Sequence, residues 1–249
     1  MKLSIITVSY NSAETIEDTI KSVIAQNYSD LEYIIVDGGS KDSTLQIVDK
    51  YRDKIAKIVS EPDKGIYDAM NKGINMATGE VVGIINSDDF YFNDQIFNNI
   101  ISQFENTSSD AVYGDIIYVN RKDIKKQVRF WRAGEYKEEK LNCGWIMPHP
   151  AFFVKKEIYN KFGLFNLDFR IAADYGLMLR FLKNGLKVNY LPQTFVCMRE
   201  GGFSGQSYKQ RKKGWQELKK AWAINNFKIP RFFITRRILS KIKQYLFKK

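Results

Sequence analysis

The stretch Val81–Asp89 reads Val-Val-Gly-Ile-Ile-Asn-Ser-Asp-Asp, and its two halves differ sharply in polarity. The first half is short, apolar and β-branched, which is typical of a strand buried on both faces of a parallel sheet. The second half ends in adjacent carboxylates, Asp88 and Asp89, at the strand end where open α/β sheets bind ligands. A hard divalent cation such as Mg²⁺ or Mn²⁺ relieves the repulsion between two such acids. The stretch therefore indicates either a metal site or an ordinary aspartate-rich turn.

Strand-like and helix-like segments alternate around this stretch. Leu3–Ser9, Leu31–Asp37 and Ile55–Ser60 are short apolar runs, and apolar residues at helical spacing lie between them. We expect the first helix to begin after Asn11 or Ser12 as its N-cap. This alternation predicts an α/β fold with a mostly parallel sheet and right-handed crossovers.

Three of the four expected strands end in polar or acidic residues, at Tyr10-Asn11, Asp37 and Asp88-Asp89. The carboxyl ends of parallel strands form the ligand crevice of such a sheet. No Gly-x-Gly-x-x-Gly follows the first strand, which argues against a dinucleotide-binding oxidoreductase, and there is no phosphate-binding P-loop. Later in the chain, Ala111–Val119 is expected to be a strand, Arg121–Lys140 a hairpin or a mobile loop, and Ala173–Leu182 a helix.

The chain has 249 residues and two cysteines, Cys143 and Cys197, which suit neither a disulfide framework nor a zinc site. Its length fits one large α/β domain, or one domain with an extension. The apolar run at the start is too short for a signal peptide, and no run approaches the ~20 residues of a membrane-spanning helix. We therefore predict a cytoplasmic protein.

Basic residues are concentrated towards the end of the chain. Fourteen Lys and Arg residues lie from Lys209 onward against a single acid, Glu217, while the full chain has a net charge of +11. The preceding part is thus close to neutral, and the two parts need separate explanations. We predict a main domain at residues 1–205 and a basic helical tail at residues 206–249.

Four motifs in sequence order resemble glycosyltransferase family 2. They are Thr7-Val8-Ser9-Tyr10-Asn11, Val36-Asp37-Gly38-Gly39-Ser40, Asn86-Ser87-Asp88-Asp89 and Ala173-Asp174. The run from Glu61 to Gly73 is similar to a subgroup that builds bacterial exopolysaccharides and O-antigens, including colanic acid. The resemblance covers about residues 1–205 and implies a GT-A fold, an α/β/α sandwich around a mostly parallel central sheet that binds a nucleotide sugar.

The resemblance assigns the donor nucleotide to the strand ends. Asp37 corresponds to a base-reading aspartate, and a carboxylate suits the N3–H donor of uracil, so UDP is favoured while GDP and dTDP stay open. The alternative is that Asp37 caps the following turn. Asp89 is implied to bind the Mn²⁺ or Mg²⁺ that bridges the donor diphosphate, and Asp88 to contact ribose or sugar. The residues implied to bind the donor are Thr7, Ser9, Tyr10, Asn11, Asp37, Asp63, Lys64, Asp68, Asp88 and His149.

Asp174 is implied to be the catalytic base of an inverting transfer, which needs one carboxylate to take the proton of the acceptor hydroxyl. The family's common spelling here is Glu-Asp, and Ala173 replaces the glutamate. The alternative for Asp174 is a first-turn acid favoured by the helix dipole. His149 resembles a position near the donor phosphate or acceptor, and a buried core histidine is its alternative.

The sequence thus predicts an inverting, metal-dependent glycosyltransferase of the hexosyl type. It would move one sugar from a nucleotide-sugar donor, with a UDP-sugar favoured, to a lipid-linked or saccharide acceptor in bacterial surface polysaccharide synthesis. Processive synthases carry Gln-x-x-Arg-Trp and membrane spans, whereas Gln210–Trp215 has a different spacing. A sugar nucleotidyltransferase is the alternative enzyme class, and a nucleic-acid-binding protein using the basic tail is the non-enzymatic alternative. We expect no nucleic acid as partner and leave a homodimer open.

The end of the tail has an amphipathic pattern from Ile234 to Lys248. Helices that are apolar on one face and cationic on the other lie in the headgroup region of anionic membranes. We therefore predict attachment to the inner face of the cell membrane; the alternative is packing on the domain itself or on a second subunit. The apolar set is Ile234, Ile238, Leu239, Ile242, Tyr245 and Leu246, and the basic set is Arg236, Arg237, Lys241, Lys243 and Lys248.

Overall fold

A nine-stranded sheet with helices on both faces organises the computed structural model, which describes residues 1–201 and 208–246. The strands are β1 (Leu3–Ser9), β2 (Leu31–Asp37), β3 (Lys57–Ser60), β4 (Val81–Asn86), β5 (Phe90–Tyr91), β6 (Ala111–Val119), β7 (Gln127–Trp131), β8 (Phe152–Lys155) and β9 (Val188–Arg199). The helices are α1 (Ile16–Ile24), α2 (Thr44–Asp49), α3 (Ile66–Met76), α4 (Ile96–Asn106), α5 (Glu138–Leu141), α6 (Lys156–Phe162), α7 (Ala173–Lys183), α8 (Tyr208–Ile224) and α9 (Phe233–Leu246).

The strands that the alternating pattern predicts form a parallel half-sheet. β1 pairs in parallel with both β2 and β4, and β2 pairs in parallel with β3. The register places Ser9 opposite Asp37, and Val8 opposite Asn86. The polar strand ends therefore lie side by side, as predicted.

The other half of the sheet contains mainly antiparallel pairs. β8 pairs antiparallel with β4 and with β6, and β5 pairs antiparallel with β9, whereas β6 and β9 are parallel. The Arg121–Lys140 segment supplies the predicted hairpin, because Ile116 of β6 faces Trp131 of β7 in an antiparallel pair. The strand order is β3-β2-β1-β4-β8-β6-β9-β5, with β7 on β6. The sheet is thus mixed, and its parallel pairs include the strands that carry the predicted donor site.

Alternate residues of each central strand contribute to two different hydrophobic cores. In β1, Leu3 and Ile5 pack in the core that also contains residues of α1 and α4, whereas Ile6 and Val8 pack in the core with α3 and α7. This follows from the period of two in a strand, which turns successive side chains to opposite faces. Helix α3 lies especially close to β1, because a Cβ on Gly73 would meet the Ile6 side chain at 2.4 Å. The result is an α/β/α sandwich.

The first helix begins later than predicted. Its N-cap is Thr15, not Asn11 or Ser12. Asn11 has a φ of 48°, in the left-handed region that asparagine tolerates, and its side-chain oxygen accepts a hydrogen bond from the backbone N–H of Lys41. The turn after β1 is therefore tied to the turn after β2 and does not start the helix.

The C-terminal helices pack on the same core as α7. Leu218, Ala221 and Trp222 of α8 and Phe233 of α9 are all buried there. The predicted boundary at residue 205 falls within residues 202–207, outside the described part, so the division into domain and tail stays a prediction. Among the helices of the described chain, none combines the length and apolar character needed to cross a membrane.

Candidate active site

Two groups of polar side chains lie at the carboxyl ends of the parallel strands and at the start of α7. We call the first the strand-end cluster (residues 9–12, 37–40 and 86–89) and the second the α7 cluster (Tyr67, His149 and Asp174). Within the strand-end cluster, the hydroxyl groups of Ser12 and Ser87 are 2.7 Å apart, and the backbone N–H of Asn11 donates to the Ser40 hydroxyl at 2.8 Å. These bonds connect the ends of β1, β2 and β4, as the pattern of polar strand ends predicts.

Asp37 is fully buried at the end of β2, and both of its carboxylate oxygens are occupied. Oδ2 accepts the backbone N–H groups of Gly39 at 3.1 Å and Ser40 at 2.9 Å, together with the Ser60 hydroxyl at 2.7 Å. Oδ1 accepts the hydroxyl groups of Ser9 at 3.0 Å and Ser40 at 2.5 Å. Burial opposes ionisation, but these donors outweigh it and lower the pKa of Asp37. These contacts are those of the turn-capping alternative. The base-reading role stays a prediction, and it requires a nucleotide base to replace some of the present hydrogen-bond donors to Asp37.

The four predicted donor residues of β1 and its turn differ in accessibility. Thr7 is fully buried, and its hydroxyl lies 3.0 Å from the hydroxyl of Tyr33. Ser9 is buried on Asp37, whereas Tyr10 is 64% exposed. Asn11 is exposed beside the turn after β2. Tyr10 and Asn11 are thus accessible from solvent, while Thr7 and Ser9 are buried beneath the strand ends.

The two adjacent acids after β4 have opposite environments. The Asp88 side chain is 32% exposed and lies 3.8 Å from Nη1 of Arg121, whereas Asp89 is only 1% exposed. Asp89 accepts a hydrogen bond from the Asn86 side-chain amide at 3.1 Å. Burial, reinforced by the charge of Asp88, raises the pKa of Asp89 well above its usual value. Asp88, and not the residue that the resemblance assigns to the metal, presents its carboxylate to solvent.

Arg199 at the end of β9 binds the turn that contains Asp88 and Asp89, and the sequence did not predict this contact. Its guanidinium donates to the backbone oxygen of Asp88 at 2.6 Å and pairs with the Asp18 carboxylate, while the side chain is buried over the ring of Phe90. A basic residue closing a buried apolar run (Phe195 to Met198) is the only sequence signal that marks it.

A divalent cation fits the chemistry of this turn only together with ligands from elsewhere. No group of three or more His, Cys, Asp or Glu side chains within residues 1–201 and the described part of 208–246 is arranged to hold a metal ion. Asp88 nevertheless offers an accessible carboxylate, and the side-chain oxygen of Asn86 is buried without a hydrogen-bond partner among the described residues. Both are hard oxygen donors, and Mg²⁺ is commonly held by one or two carboxylates plus substrate phosphates. The residues therefore suit a cation that arrives with a diphosphate.

Lys72 of α3 organises the predicted donor residues that follow β3. Its ammonium lies 2.6 Å from Asp63, 2.8 Å from Glu61 and 4.0 Å from Asp68. Hydrogen bonds from Lys72 to Asp63 and Glu61 raise the pKa of the ammonium. The i,i+4 pair between Asp68 and Lys72 is thus one of several ion pairs that Lys72 makes. Asp68 also accepts the backbone N–H of Lys64 at 3.0 Å, whereas the side chain of Lys64 is exposed.

The α7 cluster brings residues from distant parts of the chain to Asp174. Asp174 lies in the first turn of α7, and its Oδ1 accepts a hydrogen bond from the Tyr67 hydroxyl at 3.3 Å. The single proton of this hydroxyl is shared with the backbone oxygen of Ile171, which is the nearer acceptor at 2.9 Å. Burial lowers the pKa of His149, and the negative charge of nearby Asp174 only partly opposes this. The His149 ring packs edge-on against Phe165, with 5.5 Å between the ring centres.

Two residues of the C-terminal helices also reach this region, although the sequence patterns assign neither of them to the site. Arg237 of α9 donates to the backbone oxygen of Gly144 and lies 5.6 Å from the centre of the Tyr175 ring. Burial lowers the pKa of Arg237, and the charges of Tyr175 and Asp174 act in the opposite direction. Glu217 of α8 is buried against the backbone that precedes Asp174. Arg237 thus lies against the domain, although the helical projection groups it with the basic set, because periodicity cannot show which flank of a helix the domain covers.

Two surface depressions in the described structure lie away from both clusters. One is lined by residues of α5 with Lys183 and Trp222, and the other by residues of α6 with Asp110 and Leu186. Neither contains a predicted site residue. The site is therefore defined by the converging strand ends and by the contacts of Asp174.

Comparisons with known proteins identify the family of the chain. Residues 4–161 match the model of glycosyl transferase family 2. The chain is 29% identical over 207 residues to a PGL/p-HBAD biosynthesis glycosyltransferase of Mycobacterium bovis, covering 81% of this chain and 78% of that protein. It is 28% identical over 213 residues to the UDP-Glc:alpha-D-GlcNAc-diphosphoundecaprenol beta-1,3-glucosyltransferase WfaP of Escherichia coli, covering 84% and 82%.

Solved structures of glycosyltransferases share the fold. S. aureus TarS 1-349 in complex with UDP superposes with a TM-score of 0.69 at 20% identity, covering 90% of this chain, which spans 65% of that TarS chain. The mannosyltransferase PcManGT from Pyrobaculum calidifontis, in complex with GDP-Man and Mn²⁺, gives a TM-score of 0.67 at 20% identity, covering 97% of this chain and 69% of that one. Because the family model matches more than half of its residues, the chain belongs to glycosyl transferase family 2, and it has the fold of GT-A glycosyltransferases.

Proposed function

We propose that this glycosyltransferase is an inverting enzyme that transfers one sugar from a nucleoside diphosphate donor, with a UDP-sugar favoured, to a lipid-linked acceptor. The observation that carries the proposal is that α3 contacts the α7 cluster directly and the strand-end cluster through Asp63, which a Cβ on Gly38 would approach to 3.0 Å. Asp68 and Lys72 of this helix bind the turn beside the strand ends, whereas Tyr67 binds Asp174. Helix α3 thereby connects the proposed donor site at the strand ends to the proposed base on α7, and catalysis by positioning requires the two to be held in a fixed relation.

The residues divide the chemistry between them. Asp174 takes the proton of the acceptor hydroxyl while that oxygen attacks the anomeric carbon and the bond to the diphosphate breaks. Tyr10, Asn11 and Asp88 bind the donor, because Tyr10 and Asn11 are exposed and the Asp88 side chain is 32% exposed. Asp88 and Asn86 would hold Mn²⁺ or Mg²⁺, which supplies positive charge for the departing diphosphate when it is bound. The exposure of Asp88 favours it over Asp89 as the ligand.

Donor and acceptor are inferred from the relatives. TarS was solved with UDP, PcManGT with GDP-Man and Mn²⁺, and the name of WfaP gives a UDP-Glc donor and a lipid-linked acceptor. A lipid-linked acceptor supports the proposed position at the inner face of the cell membrane. The exposed side chains of Phe232, Ile238 and Leu239, with exposed Arg231 and Arg236, suit attachment to anionic lipid.

A panel of UDP-, GDP- and dTDP-sugars tests this function without a known acceptor. We expect one nucleoside diphosphate to be released by slow hydrolysis of its sugar donor, in the presence of Mn²⁺ or Mg²⁺ and not after chelation with EDTA. The Asp174→Asn variant is the matched control, since it should bind the same nucleotide. The absence of hydrolysis with every donor, or hydrolysis that survives both EDTA and Asp174→Asn, would contradict the proposal.

A further inference from the structure

Glu217 is the single acid of the basic C-terminal segment, and its side chain is buried. Glu217 of α8 is 6% exposed. Its Oε2 accepts the backbone N–H groups of Ile171 at 2.8 Å and Ala172 at 2.9 Å, and both carboxylate oxygens lie 3.2 Å from the N–H of Arg170. Three consecutive backbone donors thus converge on one carboxylate, the arrangement that binds anions in proteins.

These three residues immediately precede the helix that begins with Ala173 and Asp174. The N-cap of α7 is Ala172, which has no side chain able to accept a hydrogen bond, so a carboxylate from another helix fixes the entry to α7. The Tyr67 hydroxyl holds the same segment from the other side, through the Ile171 carbonyl. Glu217 therefore binds backbone N–H groups of the segment before Asp174, and Tyr67 binds one of its backbone carbonyl groups.

The contact is one of several that α8 makes with α7 from a single face. A Cβ on Gly214 would lie 3.4 Å from Ile171, and the Trp222 indole N–H donates to the Tyr175 hydroxyl at 3.0 Å. The Asn225 amide donates to the Gly176 carbonyl at 3.2 Å. Positions 214, 217, 221, 222 and 225 recur at helical spacing, so this face of α8 is shaped to the start of α7. Only Glu217 on this face binds the backbone directly before Asp174.

We infer that Glu217 is a positioning residue for the proposed catalytic base Asp174, so that α8 has a role beyond that of a basic tail. The inference rests on the proposed role of Asp174. Loss of the Glu217 carboxylate leaves the three N–H groups without their acceptor, so the segment relaxes and the Asp174 carboxylate moves relative to the acceptor hydroxyl. A displacement of about 1 Å at a reacting group can cost up to ~100-fold in rate.

The test uses the full chain, UDP as the binding probe, and hydrolysis of the nucleotide sugar that the donor panel selects. Glu217→Gln keeps the size of the side chain but removes its charge. It also replaces one of the two accepting oxygens by an NH2 group, which cannot accept a backbone N–H. We expect kcat to fall by about 10- to 100-fold while the Kd for UDP changes less than about twofold, because the strand-end cluster is not touched. Glu217→Asp keeps the charge on a shorter side chain and should lie between Glu217→Gln and the parent protein. It also carries the test if Glu217→Gln does not fold.

Two control variants separate positioning from general destabilisation. Trp222→Phe deletes the bond to Tyr175 in the same interface, so it should lower the Tm with kcat kept within about twofold. Asp168→Asn removes a nearby exposed carboxylate and controls for charge. The inference is overturned if Glu217→Gln retains parental kcat, or if Trp222→Phe loses as much kcat at an equal loss of Tm. Failure of the proposed function is recognised separately, because Asp174→Asn would then remain active.

Discussion

At the scale of single residues, the structure separates carboxylates that hold the protein together from carboxylates that are open to a ligand. Asp37, Asp89 and Glu217 are buried, and each accepts hydrogen bonds from neighbouring groups of the chain. Asp88 and Asp174 are only partly buried. Asp88 follows the end of strand β4, and Asp174 lies in the first turn of helix α7. Burying a carboxylate costs free energy unless donors compensate it, so the accessible acids are the better candidates for chemistry.

Asp174→Asn should reduce sugar transfer or donor hydrolysis by about 100-fold or more while leaving UDP binding nearly unchanged, since asparagine cannot accept the acceptor proton. Tyr67 can still donate to the asparagine side-chain oxygen, so the local structure should be kept. Initial rates and calorimetric titration with UDP measure the two effects. Parental turnover by Asp174→Asn would refute the assignment of the base.

Asp88→Ala should abolish the dependence of UDP binding on Mn²⁺, whereas Asp89→Asn should weaken it less. The order follows from exposure and reverses what the family resemblance alone suggests, because the buried carboxyl of Asp89 is bonded to the Asn86 amide. Asparagine at position 89 keeps both size and an accepting oxygen. Titration of each variant with UDP, with and without Mn²⁺, decides the order, and a greater loss in Asp89→Asn would return the metal to Asp89.

At the scale of elements, β1 and β2 are joined below the site by a buried glutamate in β2. Glu32 accepts hydrogen bonds from the Ser4 hydroxyl at 2.6 Å, the Thr78 backbone N–H at 2.6 Å and the Lys57 ammonium at 2.9 Å. Burial opposes its ionisation, but these donors outweigh burial and lower the pKa of Glu32 to about 2. The bonds connect β1, β2, β3 and the segment before β4, which are the elements that hold the strand-end cluster in register.

This pKa predicts an acid-dependent loss of stability. Because the unfolded chain binds a proton near pH 4.5 and the folded protein only near pH 2, the stabilisation is complete above about pH 4.5 and is lost as the pH falls towards 2. It amounts to at most about 3 kcal/mol. Urea unfolding at pH 6 and pH 3 measures it. Glu32→Gln should be less stable at pH 6 and show a smaller decrease on acidification, whereas Glu157→Gln, an exposed control, should match the parent protein.

At the scale of the whole molecule, α9 presents two different flanks. Phe233 is buried and Arg237 contacts Gly144, so one flank belongs to the domain. Ile238 and Leu239 are 43% and 59% exposed, and Phe232 before the helix is 64% exposed. The side chains of Ile242, Tyr245 and Leu246, which complete the predicted apolar stripe, lie outside the described side chains. The membrane attachment proposed above therefore rests on Phe232, Ile238 and Leu239 with the neighbouring arginines.

The double variant Phe232→Ser/Leu239→Ser should lose binding to vesicles with anionic lipid and keep its Tm, because neither side chain contributes to the core. Flotation with vesicles containing phosphatidylglycerol at low salt measures binding, and neutral phosphatidylcholine vesicles control for charge. Ile124→Ser, at an exposed apolar residue of the β6–β7 hairpin, is the matched control and should bind like the parent. Equal flotation of the double variant and the parent would exclude this surface as the anchor.

The sequence by itself determined the parallel half of the sheet, the polar strand ends and the family. Strand and helix periods are encoded within short windows, so the bounds of β1 and β2 agree with the predicted strands Leu3–Ser9 and Leu31–Asp37. The position of Asp174 in the first turn of a helix was also readable from local pattern.

Only the tertiary structure decided which polar residues of the candidate site are buried and which are accessible. Thr7 and Asp89 turn inward, Glu217 binds the entry to α7, and Tyr67 reaches Asp174 across 107 residues of sequence. Periodicity shows that a residue lies on one face of an element, but the partner on that face is set by packing between elements distant in sequence. The electrostatic environment of a carboxylate depends on such partners, which is why exposure and pKa, and with them the assignment of roles, followed from the fold.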